Sequence, residues 1–236
     1  MNSDPVRSAE SLWKNPMNKK HTEEYSKQKL KEMRTFEENL YNQGIYFVAG
    51  VDEVGRGPLA GPVVSAAVIL PIDFDVLGID DSKKLSEKKR DMFCPIIKEK
   101  ALAYGIGMAG EKTIDSINIL EATKLSMKEA LKNAEIMLGE KVQHILFDAV
   151  KISEIETPQT SLIHGDSKSI SIAAASIVAK VTRDAMMKSY HEQYPWYSFD
   201  RNKGYGTRAH YEGIKAHGIC PIHRITFLKK IIATKQ

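Results

Sequence analysis

Two apolar runs separated by a short turn constrain the fold of this chain more than any other feature. Residues 45–54 read "IYFVAGVDEV" and residues 63–70 read "VVSAAVIL", and both are rich in the β-branched residues that favour strands. The eight residues between them, "GRGPLAGP", contain three glycines and two prolines, which are typical of a turn. The sequence therefore predicts a strand, a Gly-rich turn and a second strand that form a hairpin.

The same turn has to be compared with the glycine fingerprint of dinucleotide-binding folds. Asp75 lies about 20 residues beyond Gly55, which is near the usual offset of the acidic residue in that fingerprint. The fingerprint also requires a helix to begin inside the loop, so that its N-terminus faces the pyrophosphate. Pro58 and Pro62 bracket this loop, and a strand-like run follows it. The hairpin therefore fits better.

The rest of the chain alternates between helical and strand-like segments. Further strands are predicted at 101–110 and 142–150, with a short extended piece at 160–166. Helices are predicted at about 21–42, 86–100, 115–138, 169–194 and 208–218. Strands that first follow one another and then alternate with helices indicate a mixed sheet with helices on both faces, not a purely doubly wound sheet.

The composition is that of a soluble globular protein with a weak positive charge. The 236 residues are 42% hydrophobic and 27% charged, with a net charge of +4, which is compatible with a polyanionic partner. The length suits one medium domain with an appendage, or two small domains. Cys94 and Cys220 form neither a metal-type spacing nor a disulfide framework, and no apolar run has the length of a membrane helix or a signal peptide. We expect a cytoplasmic protein that does not contact a membrane.

Acidic residues recur where apolar segments end. Asp52 and Glu53 end the first run, Asp148 ends "ILFD", and Asp166 ends the short extended segment before a helix. A single acid at a strand end is commonly a turn former. Three segments that end in this way would bring like charges to one edge of a sheet, where a divalent cation removes their repulsion. A site made only of oxygen ligands favours Mg²⁺ or Mn²⁺.

The adjacency of two of these acids sets a geometric condition. Neighbouring side chains in a regular strand point to opposite faces, so Asp52 and Glu53 cannot both face one metal there. We therefore expect regular pairing to end or to bulge at Asp52.

Four longer motifs resemble one known family. In chain order they are "GVDEVGRGPLAGPVVSAAVIL", "DDSKKLSEKKR", "GDSKSISIAAASIVAKVTRD" and "NKGYGT", and they resemble bacterial ribonuclease HII, the type 2 ribonuclease H. The resemblance extends from about Ile45 to Leu228. It implies an α/β fold with a ribonuclease H-like mixed sheet flanked by helices, and with a helical C-terminal extension. The organisation that follows is a flexible segment 1–20, an N-terminal helical extension 21–44, a catalytic domain 45–192 and a C-terminal substrate-binding extension 193–236.

The resemblance also implies an activity. Family members hydrolyse the RNA strand of RNA–DNA hybrids and cut on the 5′ side of single ribonucleotides embedded in duplex DNA, leaving 3′-hydroxyl and 5′-phosphate ends, as ribonucleotide excision repair requires. By motif, the four catalytic acids that would bind two Mg²⁺ or Mn²⁺ ions are Asp52, Glu53, Asp148 and Asp166. Nucleic acid is the expected partner, and we expect a monomer.

Substrate recognition by such an enzyme depends on the sugar, because only the 2′-hydroxyl distinguishes RNA from DNA at one nucleotide. Glycine lets the backbone approach closely, and arginine adds a planar set of donors. The resemblance assigns these contacts to Gly55, Arg56, Gly57 and Tyr205. We also predict nucleic-acid contacts for Ser82, Lys83 and Lys84.

Other charged and aromatic residues receive less specific roles. We expect Asp184 to pair with Arg183, Lys180 or Lys188, and Arg224 to lie along the duplex. "SIAAAS" is interpreted as close helix–sheet packing and "PWYSF" as a hydrophobic plug beneath the "KGYGT" loop. Two rival functions remain, which are a different nuclease on the same fold and a binding module that has lost catalysis.

Overall fold

The computed structural model describes the backbone of residues 16–233 and the side chains of residues 23–229. Residues 1–15 of the segment predicted to be flexible lie outside the described residues, whereas residues 16–20 belong to a helix.

Five strands form one mixed sheet, in the order β3-β2-β1-β4-β5. The predicted hairpin is confirmed, because β1 pairs with β2 in antiparallel fashion, and β2 pairs with β3 in the same way. In contrast, β4 lies parallel to both β1 and β5. The strands are β1 (Val48–Val54), β2 (Val63–Ile69), β3 (Ala103–Ala109), β4 (His144–Asp148) and β5 (Gln159–Leu162).

Nine α-helices occupy the described part of the chain, and none of them is long and apolar enough to cross a membrane. Two predicted helices are each divided. The first is interrupted by a turn at Arg34, and the long one after β3 is interrupted at Asn118, whose side chain caps a new helix by accepting from the N–H groups of Leu120 and Glu121. The helices are α1 (Pro16–Met33), α2 (Thr35–Tyr41), α3 (Glu87–Lys100), α4 (Glu111–Ile117), α5 (Ile119–Leu138), α6 (Ile170–Gln193), α7 (Phe199–Asn202), α8 (Arg208–His217) and α9 (Ile225–Ala233).

Helices cover both faces of the sheet at close range. On one face, a Cβ added to Gly50 of β1 would lie 2.1 Å from the carbonyl carbon of Ser171 in α6. On the other face, a Cβ added to Gly105 of β3 would lie 2.1 Å from the carbonyl oxygen of Ala130 in α5. The first distance confirms that "SIAAAS" serves close packing, since larger side chains would separate the layers.

The C-terminal segment packs on the turn of the hairpin. Tyr197 and Phe199 are buried in a cluster that also contains Leu59 and Ala60, whereas Trp196 is 53% exposed. The predicted plug is therefore confirmed for Tyr197 and Phe199.

The parallel strands determine where the predicted site lies. Because β1, β4 and β5 run in the same direction, their carboxyl ends meet at one edge of the sheet. Asp148 ends β4, and Asp166 lies in a 3₁₀ turn, Gly165–Ser167, that follows β5.

Candidate active site

The two acids of β1 lie in a regular stretch of strand. Asp52 pairs with Ala66 and Glu53 with Ser65, and the ladder to β2 continues to Val54. The expectation that pairing ends or bulges at Asp52 is therefore wrong for the ladder to β2. Only the ladder to β4 ends before it, at the pair Val51–Phe147. Pairing with β2 persists because the Gly-rich turn begins only after Val54.

Regular pairing sends the two acids to opposite sides of the strand. Asp52 shares a face with Gly50, which faces α6, whereas Glu53 shares a face with Val51, which packs in the cluster that includes Met127 of α5. A cation could therefore be shared by Asp52 and Glu53 only at the edge of the sheet, near the end of β4.

Burial and mutual repulsion dominate the electrostatics of this edge. Asp52 is 6% exposed, and burial followed by the charges of Glu53 and Asp148 raises its pKa well above the usual range. Burial also raises the pKa of Glu53, against the opposing effect of Arg56. The pKa of Asp166 is raised by burial and then by Asp81 and Asp148. Each of these three shifts describes a negative charge that lacks sufficient positive charge nearby.

Backbone N–H groups position two of the acids. Oδ1 of Asp52 accepts from the N–H of Glu53 at 2.7 Å. Oδ1 of Asp148 accepts from the N–H of Gly165 at 2.8 Å, which joins the end of β4 to the turn that carries Asp166. Asp148 and Asp166 are thus connected through one short backbone segment.

Two basic side chains partly balance the acids. Nη1 of Arg56 lies 3.3 Å from Oε1 of Glu53, and Nζ of Lys83 lies 3.3 Å from Oδ2 of Asp166. The side chain of Lys83 is 77% exposed and is free to move away when another cation or a phosphate arrives. Both are residues that the sequence predicted to contact nucleic acid.

The other two residues of "SKK" lie differently. Nζ of Lys84 is 3.7 Å from Oδ1 of Asp80, and Ser82 is buried at 5% exposure, with its backbone N–H donating to Oγ of Ser176 at 3.3 Å. Of Ser82, Lys83 and Lys84, only Lys83 lies against one of the four predicted catalytic acids.

The donor set suits a hard divalent cation, although it is not a preformed cage. Within residues 23–229, no three His, Cys, Asp or Glu side chains are arranged so that they could hold a metal ion as they stand. However, Oε2 of Glu53 is buried without a hydrogen-bond partner, and the ligands on offer are all carboxylate oxygens. A divalent cation would satisfy that oxygen and remove the repulsion that raises the pKa values.

Two buried arginines hold the Gly-rich turn at residues 55–62, a role that their sequence motifs did not indicate. Arg224 is fully buried and donates to the carbonyl oxygens of Gly55 at 2.6 Å, Arg56 at 3.0 Å and Gly61 at 2.7 Å. The expectation that Arg224 lies along a duplex is therefore wrong, because its donors are used inside the protein. Arg183 is equally buried and donates to the carbonyl oxygen of Pro62 at 2.9 Å.

Burial of these guanidinium groups is reflected in their protonation. It lowers the pKa of Arg183 to about 10 and that of Arg224 to about 9, so both remain charged at neutral pH.

Gly55 has a φ of +98°, and a Cβ at this position would lie 2.2 Å from Nε of Arg183, so the turn requires glycine. Both arginines fall within conspicuous motifs, "VTRD" and "HRITF", but a motif does not tell whether a guanidinium faces solvent or backbone.

Tyr205 lies beside the same turn. Its side chain is 45% exposed, and a Cβ added to Gly57 would lie 3.5 Å from Cε1 of its ring. The two loops are joined by the N–H of Leu59, which donates to the carbonyl oxygen of Gly204 at 2.8 Å. Gly57 and Tyr205 therefore border one surface, and Arg56, the neighbour of Gly57, connects this surface to Glu53.

A chain of buried histidines supports the Tyr205 loop. Nδ1 of His210 lies 2.9 Å from the carbonyl oxygen of Tyr205, and its Nε2 lies 3.0 Å from Nε2 of His223. Nδ1 of His223 accepts from the N–H of Cys220 at 2.9 Å. A carbonyl only accepts, so His210 carries its proton on Nδ1 and His223 carries its proton on Nε2. Burial lowers the pKa of both histidines, that of His223 to about 4, which agrees with two neutral rings.

Asp184 does not belong to the acidic group. Its Oδ1 lies 2.7 Å from Nζ of Lys180, as predicted for one of its three candidate partners, and its Oδ2 lies 3.8 Å from Nη2 of Arg90. Its charge is thus neutralised on α6, away from the acids at the carboxyl ends of the strands.

Comparison with known proteins identifies the family of this chain. Residues 49–230 match the family model described as Ribonuclease HII. The Ribonuclease HII of Listeria monocytogenes serotype 4b (strain F2365) is 52% identical over 224 residues, which cover 95% of this chain and 84% of that protein.

Solved structures share the fold. The crystal structure of the ribonuclease H2 from Pyrococcus horikoshii OT3 has a TM-score of 0.65 at 28% identity and covers 79% of this chain and 97% of that chain. The structure of Bst-RNase HIII in complex with Mn²⁺ has a TM-score of 0.58 at 18% identity, covers 80% of this chain and 70% of that chain, and supports the fold alone. The extent of the family match and the identity to the bacterial relative show that the chain belongs to the ribonuclease HII family and is a hydrolytic ribonuclease.

Proposed function

We propose that this ribonuclease hydrolyses the RNA strand of RNA–DNA hybrids and also cuts on the 5′ side of single ribonucleotides embedded in duplex DNA, leaving 3′-hydroxyl and 5′-phosphate ends. One observation carries the proposal. The "GRG" turn follows Asp52 and Glu53 within β1's own chain segment and lies against the ring of Tyr205. A surface able to contact a ribose thus adjoins the acids that would hold the catalytic cations.

The acids have defined roles in this mechanism. Asp52, Glu53, Asp148 and Asp166 would hold two divalent cations, Mg²⁺ or Mn²⁺. When bound, such ions supply Lewis-acid stabilisation of the attacking and leaving oxygens in an in-line displacement. Asp148 is held in place by the N–H of Gly165, and that hydrogen bond uses only one of its two carboxylate oxygens.

Basic residues complete the site in the proposal. Lys83 is paired with the carboxylate of Asp166, and Arg56 is paired with that of Glu53. Divalent cations bound to these carboxylates would replace the two basic side chains, which could then contact phosphate oxygens. Lys84, which is half-exposed, would contact the duplex further away, whereas we assign to buried Ser82 the role of positioning this loop.

Recognition of the ribonucleotide is assigned to the two joined loops. Arg224 occupies the carbonyl oxygens of Gly55 and Arg56, so the turn offers backbone N–H groups to a sugar hydroxyl. The ring of Tyr205 offers an apolar face for the sugar and a hydroxyl for the 2′-OH. A deoxyribose has no 2′-OH to pair with the N–H groups of the turn and the hydroxyl of Tyr205, which would disfavour cutting of DNA.

The decisive experiment compares three labelled substrates. These are an RNA–DNA hybrid, a DNA duplex with one ribonucleotide and the same duplex in DNA alone, each with Mg²⁺, with Mn²⁺ and with EDTA. We expect cutting of the first two, at the 5′ side of the single ribonucleotide, with ends that a polymerase can extend, and no cutting in EDTA. Equal cutting of the all-DNA duplex would indicate a different nuclease on this fold. Binding without cutting in either metal would indicate a binding module.

Three further parts of the proposal concern its setting. We propose that the protein acts as a monomer, which light scattering can test. We place it in the cytoplasm, because Cys94 and Cys220 are both buried free thiols, as is usual in a reducing compartment. We also propose that residues 45–192 form the catalytic domain, with extensions at 21–44 and 193–236.

A further inference from the structure

We infer that Glu37, in the N-terminal extension, is a positioning residue for Asp166. This inference rests on the proposed function, because it assumes that Asp166 takes part in binding the catalytic cation. Glu37 belongs to α2 and is 1% exposed. Its carboxylate accepts hydrogen bonds from residues at the beginning of α6. The sequence around Glu37 gives no signal of this role, since it is an amphipathic segment with several exposed Glu and Lys residues.

The contacts of Glu37 complete the N-terminus of α6. Its Oε1 accepts from Oγ of Ser169 at 2.5 Å and from the N–H of Ser171 at 3.0 Å. Oγ of Ser169 in turn accepts from the N–H of Ile172 at 3.2 Å, as an N-cap residue does. The first turn of a helix leaves N–H groups without internal partners. Here one is satisfied by the local cap and another by a carboxylate 134 residues earlier in the chain.

Those contacts lead directly to Asp166. The N–H groups of Lys168 and Ser169 donate to the carbonyl oxygen of Gly165 at 2.9 Å and 2.8 Å, which closes the turn around Asp166. The N–H of Gly165 donates to Asp148 at its other end. The turn is therefore held on one side by Asp148 and on the other, through Ser169, by Glu37.

The hydrogen bond between Glu37 and Ser169 is important for the position of the Asp166 turn, because little else of the N-terminal extension packs against that turn. A groove of about 420 Å³ separates α1 and the start of α2 from Ser167 and Lys168, so the extension does not pack tightly against the turn there. Loss of the Glu37 carboxylate would leave Ser169 without that partner and allow the turn to shift. Small displacements of a ligand's supporting residues weaken metal binding, typically by ten- to a hundredfold.

The chemistry of Glu37 also argues against a role in stability alone. A carboxylate is favourable near a helix N-terminus. However, Oε2 of Glu37 is buried without a hydrogen-bond partner, which costs stability. The contribution of Glu37 to stability is therefore incomplete, which a role in positioning the turn of Asp166 would explain.

The test compares Glu37→Ala, Glu37→Gln and Ser169→Ala with Glu38→Ala as the matched control. Glu38 is on the same helix, its side chain is 46% exposed, and its carboxylate pairs with Arg34. Three quantities are measured for the full-length protein: Mn²⁺ affinity of the free protein by titration calorimetry, the Mn²⁺ concentration for half-maximal cutting of a hybrid, and the melting temperature.

We expect Glu37→Ala to weaken Mn²⁺ binding and to raise the half-maximal Mn²⁺ concentration, each by about tenfold or more, with little change in KM for the hybrid. Glu37→Gln should restore both values to within about threefold, because its amide oxygen accepts the same two hydrogen bonds. Ser169→Ala should resemble Glu37→Ala, and Glu38→Ala should resemble the unaltered protein.

A Glu37→Ala protein with a lower melting temperature but an unchanged Mn²⁺ affinity and requirement would overturn the inference, because Glu37 would then be only structural. If Glu37→Ala does not fold, Ser169→Ala decides in the same way. If the unaltered protein cuts the hybrid and all variants share its Mn²⁺ dependence, only this inference fails. If the unaltered protein does not cut the hybrid with any metal, the proposed function fails and takes this inference with it.

Discussion

The buried guanidinium of Arg224 donates a hydrogen bond to the carbonyl oxygen of Gly55, 2.6 Å away, across 169 residues of sequence. The residue that immediately precedes the C-terminal helix α9 is therefore joined to the turn that follows the two acids of β1. Because Gly55 and its neighbours are held by donors from outside the turn, the conformation of the recognition loop depends on the C-terminal segment.

Replacement of this arginine should destabilise the fold. Arg224→Lys keeps the positive charge but not the planar set of donors, and it leaves buried carbonyl oxygens without partners. We expect the free energy of unfolding to fall by roughly 2–4 kcal/mol, measured by urea denaturation. Arg208→Lys is the control, since that side chain is 92% exposed and its replacement should change stability by about 0.5 kcal/mol or less. Equal effects of the two substitutions would contradict the structural role of Arg224.

Removal of one carboxylate should separate catalysis from binding. Asp148→Asn retains an oxygen that can accept from Gly165 but loses the charge that a cation needs. We expect cutting of a hybrid to fall on the order of a thousandfold, because several kcal/mol of transition-state stabilisation disappear, while hybrid binding changes little. Gel-shift and single-turnover assays measure the two effects, with Asp73→Asn, an exposed acid, as the control. Cutting by Asp148→Asn at the original rate would show that the acid assignment is wrong.

Substitution of Tyr205 should affect recognition without affecting stability. Its side chain is 45% exposed, so Tyr205→Ala should leave the melting temperature nearly unchanged. Loss of the aromatic face should reduce cutting at an embedded ribonucleotide by roughly ten- to a hundredfold. Tyr205→Phe separates the hydroxyl from the ring, and Tyr46→Ala, a similarly exposed tyrosine before the opposite end of β1, is the control. A fall in melting temperature that parallels the loss of activity would make Tyr205 a packing residue.

Acidification should weaken the fold through the buried histidine pair. Burial lowers the pKa of His223 from the usual 6.5 to about 4, so the folded state holds this ring neutral while the unfolded state takes up a proton first. The resulting stability is complete above pH 6.5 and is lost as the pH falls toward 4. From pH 7.5 to pH 5.0, the free energy of unfolding should fall by about 2 kcal/mol more in the unaltered protein than in His223→Gln.

The comparison between variants is needed because the acids of the site respond in the opposite direction. Burial raises the pKa of Asp52, Glu53 and Asp166, so protonation of these groups favours the folded state. That contribution is common to all variants and cancels in the difference. His217→Gln, which changes an exposed histidine, should retain the full loss. Identical pH dependence in His223→Gln and the unaltered protein would contradict the neutral pair.

Much of the architecture could be predicted, because it depends on local chain chemistry. The hairpin of β1 and β2 follows from two strand-like runs and a turn rich in Gly and Pro, and α6 follows from a segment rich in small residues. The division of a predicted helix at Asn118 was missed, since an asparagine can either cap a helix or lie exposed within one. The expected bulge at Asp52 was wrong, because register is decided by the partner strand and not by the acid itself.

The sequence by itself determined the kinds of group available: strand-end acids, a bare turn before a strand, and motifs of the ribonuclease HII family. Only the tertiary structure decided which charges face the site and which face the interior. Lys83 approaches Asp166, whereas Arg224 and Glu37 are buried and hold other segments in place. The physical reason is that the sequence around a charged residue looks the same whether its side chain is exposed or buried. Its role depends on partners 83 to 169 residues away, which only folding brings within hydrogen-bond distance.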